Sequence, residues 1–159
     1  MSSYTDKFTV LCAAFCGTGK SYLCKNFPNT CKEIECWEYR QGDFPNNYIQ
    51  DVIGAFGKTK YLFISTDPVI LKELHKTGIE ILLIYPVNQL RNEYLDRFLN
   101  RDSPCDFIGA VMKYWNVWIN ELKEQKYCKH IVLQSGQYLQ NVLKIHESKQ
   151  ESQQSLVIG

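Results

Sequence analysis

One string of eight residues, Ala14-Phe15-Cys16-Gly17-Thr18-Gly19-Lys20-Ser21, constrains this chain more than any other feature. An apolar run, Phe8 to Ala14, leads into it, and a second stretch, Lys20 to Phe27, continues from it. The run has the length and composition of a buried strand. The stretch predicts a short helix, which the proline at position 28 ends. Residues 14–21, which we call the glycine loop, therefore connect a strand to a helix.

The glycine loop matches the phosphate-binding Walker A pattern GxxxxGK[ST] except at its first position, where Ala14 replaces glycine. Its two glycines allow successive N–H groups to face inward around an anion, and the positive end of the helix faces the same point. Lys20 would add charge beside the outer phosphates, and Ser21 would offer a hydroxyl to Mg²⁺. The residues expected to bind ATP are Cys16, Gly17, Thr18, Gly19, Lys20, Ser21 and Tyr22. The alternative is a glycine-rich turn that caps a helix, with Lys20 in solvent.

Strand-like and helix-like segments alternate along the rest of the chain. The predicted strands are Cys31–Trp37, Tyr61–Ser65, Ile79–Tyr85 and His130–Leu133. The predicted helices are Tyr48–Phe56, Pro68–Lys76, a region after Pro86 that breaks at Ser103-Pro104, Phe107–Leu122, and a last one to about Ile145, with a loop at Arg40–Asn47. Such alternation requires crossover connections. We therefore expect an α/β fold of the P-loop NTPase type, three-layer α/β/α, with a five-stranded, mainly parallel sheet.

Composition and charge exclude several classes of protein. The chain has 159 residues and is 45% hydrophobic, enough for one domain with a real core. Its 18 basic and 17 acidic residues give no strong nucleic-acid signal, and no apolar run approaches the roughly 20 residues that span a bilayer. Seven cysteines include no CxxC pair, which argues against zinc or thioredoxin-type sites. We expect one domain at 1–146, a disordered tail at 147–159, and a cytoplasmic protein with no membrane association.

Three arginines follow the fourth predicted strand: Arg91, Arg97 and Arg101. Phosphoryl transfer spreads negative charge over the transferred group, so its catalysis depends on positioning and charge neutralisation, for which guanidinium groups are suited. Arg97 and Arg101 are four residues apart and would share one face of a helix. We predict that these three arginines act in catalysis together with Lys20. The alternative is a solvated helix on which Glu93 pairs with Arg97.

Other candidate residues follow the second and third predicted strands. Glu35 and Glu38 end the second strand, where open α/β sheets bind ligands; the alternative is a pair of solvent-facing carboxylates. Arg40 is a candidate for an acceptor phosphate or a solvated loop charge, and Tyr39 for stacking on a base. Asp67 stands where a carboxylate holds Mg²⁺ through water, and it equally fits a helix N-cap. One residue can serve both roles.

Several short motifs accompany the glycine loop. In chain order they are Phe44-Pro45-x-x-Tyr48-Ile49, Tyr85-Pro86, Glu93-Tyr94-x-x-Arg97 and a helix with Phe107-Ile108…Trp115…Trp118-Ile119. Together they resemble the adenylate kinase-like P-loop nucleoside monophosphate kinases, especially the small P-loop kinases of bacteriophages and other viruses. The resemblance extends to about Leu143. It implies a core, a substrate arm at residues 39–58, and a helical lid at 87–103 whose arginines close over ATP.

The resemblance also implies an activity. We expect an ATP- and Mg²⁺-dependent phosphotransferase that acts on a nucleoside or deoxynucleoside monophosphate. Many relatives carry an Asp-Arg pair near the third strand, whereas the chain has Ser65-Thr66-Asp67-Pro68 there. Two alternatives stay open: a kinase with another acceptor (a nucleoside, a polynucleotide end or a small metabolite), and a non-enzymatic nucleotide-binding protein. An acceptor hydroxyl would make Glu35 essential, and an acceptor phosphate would make Arg40 and the lid arginines dominant.

Overall fold

A five-stranded sheet with β1, Val10–Ala14, at its centre organises the fold. The computed structural model describes residues 9–143 and residue 145. The other strands are β2 Cys31–Glu33, β3 Tyr61–Ile64, β4 Ile81–Pro86 and β5 Cys128–Leu133. The strand order is β2-β3-β1-β4-β5, and every pairing is parallel. The predicted α/β class and five-stranded sheet are confirmed, and the order, which periodicity does not predict, comes from the structure.

Helices cover both faces of the sheet. They are α1 Lys20–Asn26, α2 Asn46–Ala55, α3 Pro68–Lys76, α4 Arg91–Asn100, α5 Cys105–Lys123 and α6 Leu139–Leu143, with 3-10 turns at Trp37–Gln41 and Asn88–Leu90. Leu11 and Ala13 of β1 are buried with side chains of α2, α3, α4 and α5. Cys12 and Ala14 are buried on the other face with side chains of α1 and α6. This arrangement is compatible with three layers, α/β/α.

The chain reverses its direction along the sheet at the edge strand, β2. From β1 it moves two places to β2, and it then returns through β3 to β4 on the far side of β1. Right-handed crossovers in opposite directions place their helices on opposite faces, as α1 and α2 are here. Chain segments that leave neighbouring strands toward opposite faces open a crevice at the carboxyl ends of those strands. The glycine loop leaves β1 at this crevice.

Some predicted boundaries are wrong. The second strand ends at Glu33, not Trp37, because the Ile34 carbonyl accepts a hydrogen bond from the Tyr48 hydroxyl at 2.5 Å and Trp37 begins a 3-10 turn. The predicted loop 40–47 contains the end of that turn and the first two residues of α2. The other strand and helix ends agree with the prediction to within two residues, and both ends of α3 match it. The last helix is Leu139–Leu143, and Ile145 is helical too, in agreement with the predicted end. Phe8 and the predicted tail lie outside the described residues.

The break between α4 and α5 falls at Ser103-Pro104, as predicted, although no side chain caps α5. Within the part of the chain that the structure describes, none of the helices combines the length and the hydrophobicity that crossing a bilayer requires. Trp115 is buried in the core, as its helical spacing predicts. Trp118 is only partly buried, because it also borders the crevice beside the glycine loop.

Tyr48 joins β2 to β3 through its hydroxyl. That group donates to the Ile34 carbonyl and accepts from the Ser65 N–H at 3.1 Å, and the side chain is fully buried. We expect Tyr48→Phe to lower the free energy of unfolding by about 1–3 kcal/mol, because two backbone groups lose their partner. Urea denaturation measures the change. Tyr127→Phe, at a mostly exposed ring, is the control and should stay within about 0.5 kcal/mol of wild type. Equal effects of the two substitutions would contradict this role of Tyr48.

Candidate functional site: a cleft beside the glycine loop

The glycine loop has a fixed backbone path. The Phe15 N–H donates to the Ile84 carbonyl of β4 at 2.9 Å, so the loop starts in register with the sheet. Gly17 and Gly19 then take positive φ angles of 80° and 104°, a region that favours glycine. Between them the Thr18 hydroxyl donates to the Phe15 carbonyl at 2.6 Å. The loop therefore curls over the end of β1 before α1 begins.

Backbone donors and acceptors of the glycine loop are used very differently. Hydrogen bonds are accepted by the carbonyl oxygens of Ala14, Phe15, Gly17, Thr18 and Gly19. By contrast, none of the N–H groups of residues 17–22 donates to another described residue. The N–H groups of residues 20–22 lie in the first turn of α1, where any helix leaves its donors free, so the free N–H groups of residues 17–19 are the distinctive ones. Successive free N–H groups in a curled loop are suited to bind an anion.

Lys20 lies in a cleft of about 340 Å³ beside this loop. Its ammonium group donates to the Ala14 carbonyl at 2.9 Å and lies 3.6 Å from Glu33 Oε2. The side chain is 18% exposed, so Lys20 is not the solvated lysine of the alternative interpretation. Thus the cleft holds a cation directly beside the free N–H groups. Cys16 also lines the cleft, and burial raises the pKa of its thiol to about 11, so this group is neutral near pH 7.

Sequence analysis missed Glu33, the acidic residue nearest to Lys20. It ends β2 and lines the cleft together with Glu35. Burial raises the pKa of the Glu33 carboxyl, Glu35 raises it further, and the charge of Lys20 opposes the shift. The rule that ligands bind at the carboxyl ends of strands would have identified Glu33. It pointed to Glu35 and Glu38 instead, because the predicted strand was four residues too long.

The three predicted arginines have different surroundings. Arg101 lines the cleft, where its Nε donates to the Ser103 hydroxyl at 3.0 Å. Arg91 binds the Met112 carbonyl through Nε and Nη2, at 3.2 and 3.1 Å, and so fastens α4 to α5. Arg97 lies behind the loop and is almost fully buried. Of the three, Arg101 is the one that borders the cleft in the described structure.

Arg97 connects the glycine loop to the segment after β5. Its guanidinium donates to the Gly17 carbonyl at 2.8 Å and to the Gln137 carbonyl at 3.1 Å, and it pairs with Glu93 at 3.0 Å. The rings of Tyr94 and Tyr138 lie on it, 4.3 and 3.9 Å from its central carbon. The guanidinium of Arg97 is thus committed to protein groups, and we assign it a positioning role. We call Arg97 and Glu93 the α4 clamp.

The predicted lid segment, 87–103, is packed against the loop in this structure. Tyr94 and Phe98 of α4 are fully buried. Tyr94 contacts the rings of Phe15 and Trp115, with centroid distances of 6.4 and 5.3 Å. Because both aromatic side chains belong to the main core, α4 contributes to the stability of the domain around the site.

A second hollow adjoins the cleft. This side pocket, about 360 Å³, shares Phe15, Ser65, Thr66 and Trp118 with the cleft and is completed by Arg40, Asp67, Pro68, Glu121 and Leu122. Asp67 is the N-cap of α3, since its carboxylate accepts from the Val69 N–H at 2.9 Å. The same carboxylate also binds Arg40, which lies over the Phe44 ring. The predicted N-cap is confirmed, and Arg40 reaches the pocket already paired.

The remaining predicted site residues lie at or beyond the outer edge of β2. Glu35, which the cleft also includes, accepts a hydrogen bond from the Trp37 indole at 2.6 Å. Tyr39 and Glu38 line an open groove of about 590 Å³ between β2 and α2, which adjoins the cleft along residues 33–35. The Tyr39 hydroxyl donates to Asp51 at 2.6 Å, which raises the pKa of Tyr39 to about 12. Its ring packs against Tyr48, so Tyr39 does not border the glycine loop.

The described residues contain no group of three or more His, Cys, Asp or Glu side chains that could hold a metal ion. Mg²⁺ in phosphoryl-transfer sites is held mainly by substrate phosphates and needs few protein oxygens. Ser21 and Glu33 line the same cleft and have oxygens of the required kind. Asp67, the other predicted ligand, lines the side pocket, and both its carboxylate oxygens are already bonded.

Comparisons of the sequence with models of known protein families and with curated proteins gave no match. Apart from the glycine loop, the motifs behind the resemblance noted above are short, and each is weak alone. The chemistry of the site must therefore be inferred from the free N–H groups, the charges and the walls of the cleft and side pocket.

Substitution of Gly17 tests how tightly α4 packs on the loop. A Cβ at this position would lie 2.9 Å from Phe98 Cε1 and 3.0 Å from Tyr94 Cδ2, at a φ of +80°. We expect Gly17→Ala to lower the free energy of unfolding by more than about 1 kcal/mol, from strain in the left-handed region alone. The matched control is Gly54→Ala in α2, where nothing lies within 4 Å, and it should raise stability by about 0.5–1 kcal/mol. Urea denaturation compares them, and a Gly17→Ala protein as stable as wild type would refute this packing.

Glu93 makes the α4 clamp dependent on pH. Hydrogen bonds from the Gly136 N–H and the Ser135 hydroxyl, together with the charge of Arg97, hold the pKa of Glu93 below its ordinary value of 4.5. A depressed folded-state pKa stabilises the protein above the unfolded pKa, and this contribution disappears as the pH falls through the folded value. We expect Glu93→Gln to be less stable than wild type at pH 7 and the difference to shrink below pH 4.5. Denaturation at both ends of this range measures it, and a difference independent of pH would exclude the role of the carboxylate charge.

Proposed function

We propose that this protein transfers the terminal phosphoryl group of ATP, with Mg²⁺, to a nucleoside monophosphate bound beside the glycine loop. The observation that carries the proposal is the run of free N–H groups at residues 17–22 with the ammonium of Lys20 next to it. This set of donors is suited to the phosphates of a nucleotide. The resemblance to nucleoside monophosphate kinases supports the choice of acceptor.

On this proposal, nucleotide binding exchanges the partners of Lys20. The ammonium now interacts with one carbonyl and, at 3.6 Å, with one carboxylate. Phosphate oxygens offer more charge at hydrogen-bonding distance, so Lys20 would move to them. Glu33 and Ser21 would then be the residues that hold Mg²⁺, and the cation would supply positive charge beside the transferred group.

The site must also neutralise the negative charge that develops in the transition state. Arg101 supplies a guanidinium at the rim of the cleft, while Arg97 fixes the loop from behind. Phe15, Phe107 and Trp118 form an apolar wall around the same cleft. Such a wall limits water near the phosphates, which favours transfer to an acceptor over hydrolysis. The acceptor would enter from the side pocket, whose Arg40 is suited to an anionic group.

A second candidate function has a specific observation in its favour. Glu33 and Glu35 both line the cleft, and burial raises the pKa of Glu33. Two carboxylates repel a phosphate acceptor, whereas a carboxylate whose pKa is raised by burial is better suited to accept the proton of an attacking hydroxyl. Transfer to a nucleoside or another small hydroxyl acceptor is therefore the alternative. It predicts transfer to nucleosides or other small alcohols and none to nucleoside monophosphates.

A phosphoryl-transfer screen tests the proposal. ATP and Mg²⁺ are supplied with each common ribo- and deoxyribonucleoside monophosphate, and with the matching nucleosides. We expect transfer to one or more monophosphates. Lys20→Ala should lower kcat roughly a hundredfold or more, because the positive charge that stabilises the transferred group is removed. Lys25→Ala, an exposed lysine on the same helix, is the control. Transfer to nucleosides alone would favour the second candidate, and transfer to no acceptor would refute both.

The same assay separates the arginines. Arg101→Ala removes the guanidinium that lines the cleft, and we expect a loss of roughly a hundredfold in kcat with little change in unfolding free energy. Arg91→Ala removes an arginine of the same segment that binds Met112 instead, so it should leave kcat within a few-fold of wild type. Equal losses in the two variants would contradict the assignment of Arg101.

A further inference from the structure

The side pocket has two kinds of wall, and the proposed function uses only Phe15, Trp118 and Arg40 of them. Its inner surface is apolar, formed by Phe15, Pro68, Trp118 and Leu122, of which Phe15 and Leu122 are buried. Its rim is polar and includes Arg40, Asp67 and Glu121. A hollow of about 360 Å³ with apolar walls and a few polar groups is typical of a site for a small flat ligand.

Trp118 stands at the junction of the two hollows. It lines both the cleft and the side pocket, and its ring stacks on Tyr114 with the two ring centroids 5.6 Å apart. This stacking holds the indole in place on α5. An aromatic ring fixed beside a phosphate-binding cleft can stack on a base.

Glu121 is a solvent-exposed residue at the rim of the side pocket. The carboxylate of Asp67 binds Arg40 and the Val69 N–H, so those two charges satisfy each other. The carboxylate of Glu121 has no hydrogen-bond or ion-pair partner among the described residues. Glu121 lies one turn after Trp118 on α5, on the same side of the helix. A carboxylate accepts hydrogen bonds and donates none, so it selects ligands with N–H groups.

We infer that the side pocket binds the base of the acceptor and that Glu121 selects bases carrying an exocyclic amino group. This inference rests on the proposed function and adds the class of acceptor to it. The base stacks beside Trp118, and its amino group donates to Glu121. Cytosine and adenine present such a donor, whereas uracil and hypoxanthine present a carbonyl oxygen at the same position. A carboxylate facing that oxygen leaves two acceptors opposed, which disfavours binding.

Matched ligands test the inference without turnover. Tryptophan fluorescence is titrated with CMP and UMP, and with AMP and IMP, in the absence of ATP. In the pair whose ring size the pocket admits, we expect the amino-bearing ligand to bind roughly tenfold or more tightly. Glu121→Gln should abolish or invert this preference, because a carboxamide can donate to the carbonyl oxygen. Glu124→Gln, near the same end of α5 but outside the side pocket, should preserve it.

Further measurements distinguish a failure of the base site from a failure of the proposed kinase activity. The preference must persist between dCMP and dUMP. If Glu121 instead tightens CMP and UMP equally over dCMP and dUMP, it contacts the 2′-hydroxyl and the inference is overturned. Equal binding within both pairs, or a preference that Glu121→Gln leaves unchanged, would also overturn it. Phosphoryl transfer to monophosphates with no effect of Glu121→Gln on acceptor choice refutes the base site and leaves the proposed function standing. An amino preference lost in Glu121→Gln, with no transfer to any acceptor, refutes the kinase activity and leaves the base site.

Discussion

The contact between the Arg97 guanidinium and the Gly17 carbonyl is the interaction on which the site depends. When the N–H groups of a loop point into a cleft, its carbonyl groups point the other way and need hydrogen-bond donors there. The Arg97 guanidinium donates to the Gly17 carbonyl and so meets this need. The same guanidinium holds the Gln137 carbonyl, while Glu93 holds Ser135 and Gly136. One ion pair on α4 therefore sets the distance between the glycine loop and the segment after β5. Loss of the pair would affect two loops at once.

The charges around the cleft are balanced before any ligand is present. Lys20 faces Glu33, and Arg40 faces Asp67, so each of these two cations has an anionic partner. A ligand must compete with these partners, and an anion richer in charge than a carboxylate has the advantage. Arg101 and Glu121 are different, because one binds a hydroxyl and the other is unpaired. The two groups are thus available for contacts that do not break an existing ion pair.

The sequence predicts the parts of the fold that depend on local signals. Both ends of α3 are predicted, because Asp67-Pro68 starts the helix and Gly78 follows it. Long-range contacts explain the failures. The hydroxyl of Tyr48, far along the chain, binds the Ile34 carbonyl and so ends β2 early. Because sequence analysis placed the end of this strand too late, it did not identify Glu33 as a residue at the strand end. Helical spacing indicated equivalent roles for Arg97 and Arg101, but the Arg97 guanidinium binds two distant carbonyl groups, and of the two only Arg101 borders the cleft. The pairing of Arg40 with Asp67 likewise joins residues 27 positions apart.

The close approach of α4 to Gly17 has a consequence for the thermodynamics of binding. A Phe98 ring atom lies within 2.9 Å of the position that a Cβ would occupy, so the loop is held by core packing. Flexible phosphate-binding loops lose conformational entropy when they close on a ligand, and affinity falls by that amount. A loop ordered by the core has already met this cost during folding. Affinity for an anion is then coupled to the integrity of the aromatic cluster around Trp115, so substitutions remote from the cleft can weaken binding without touching the ligand.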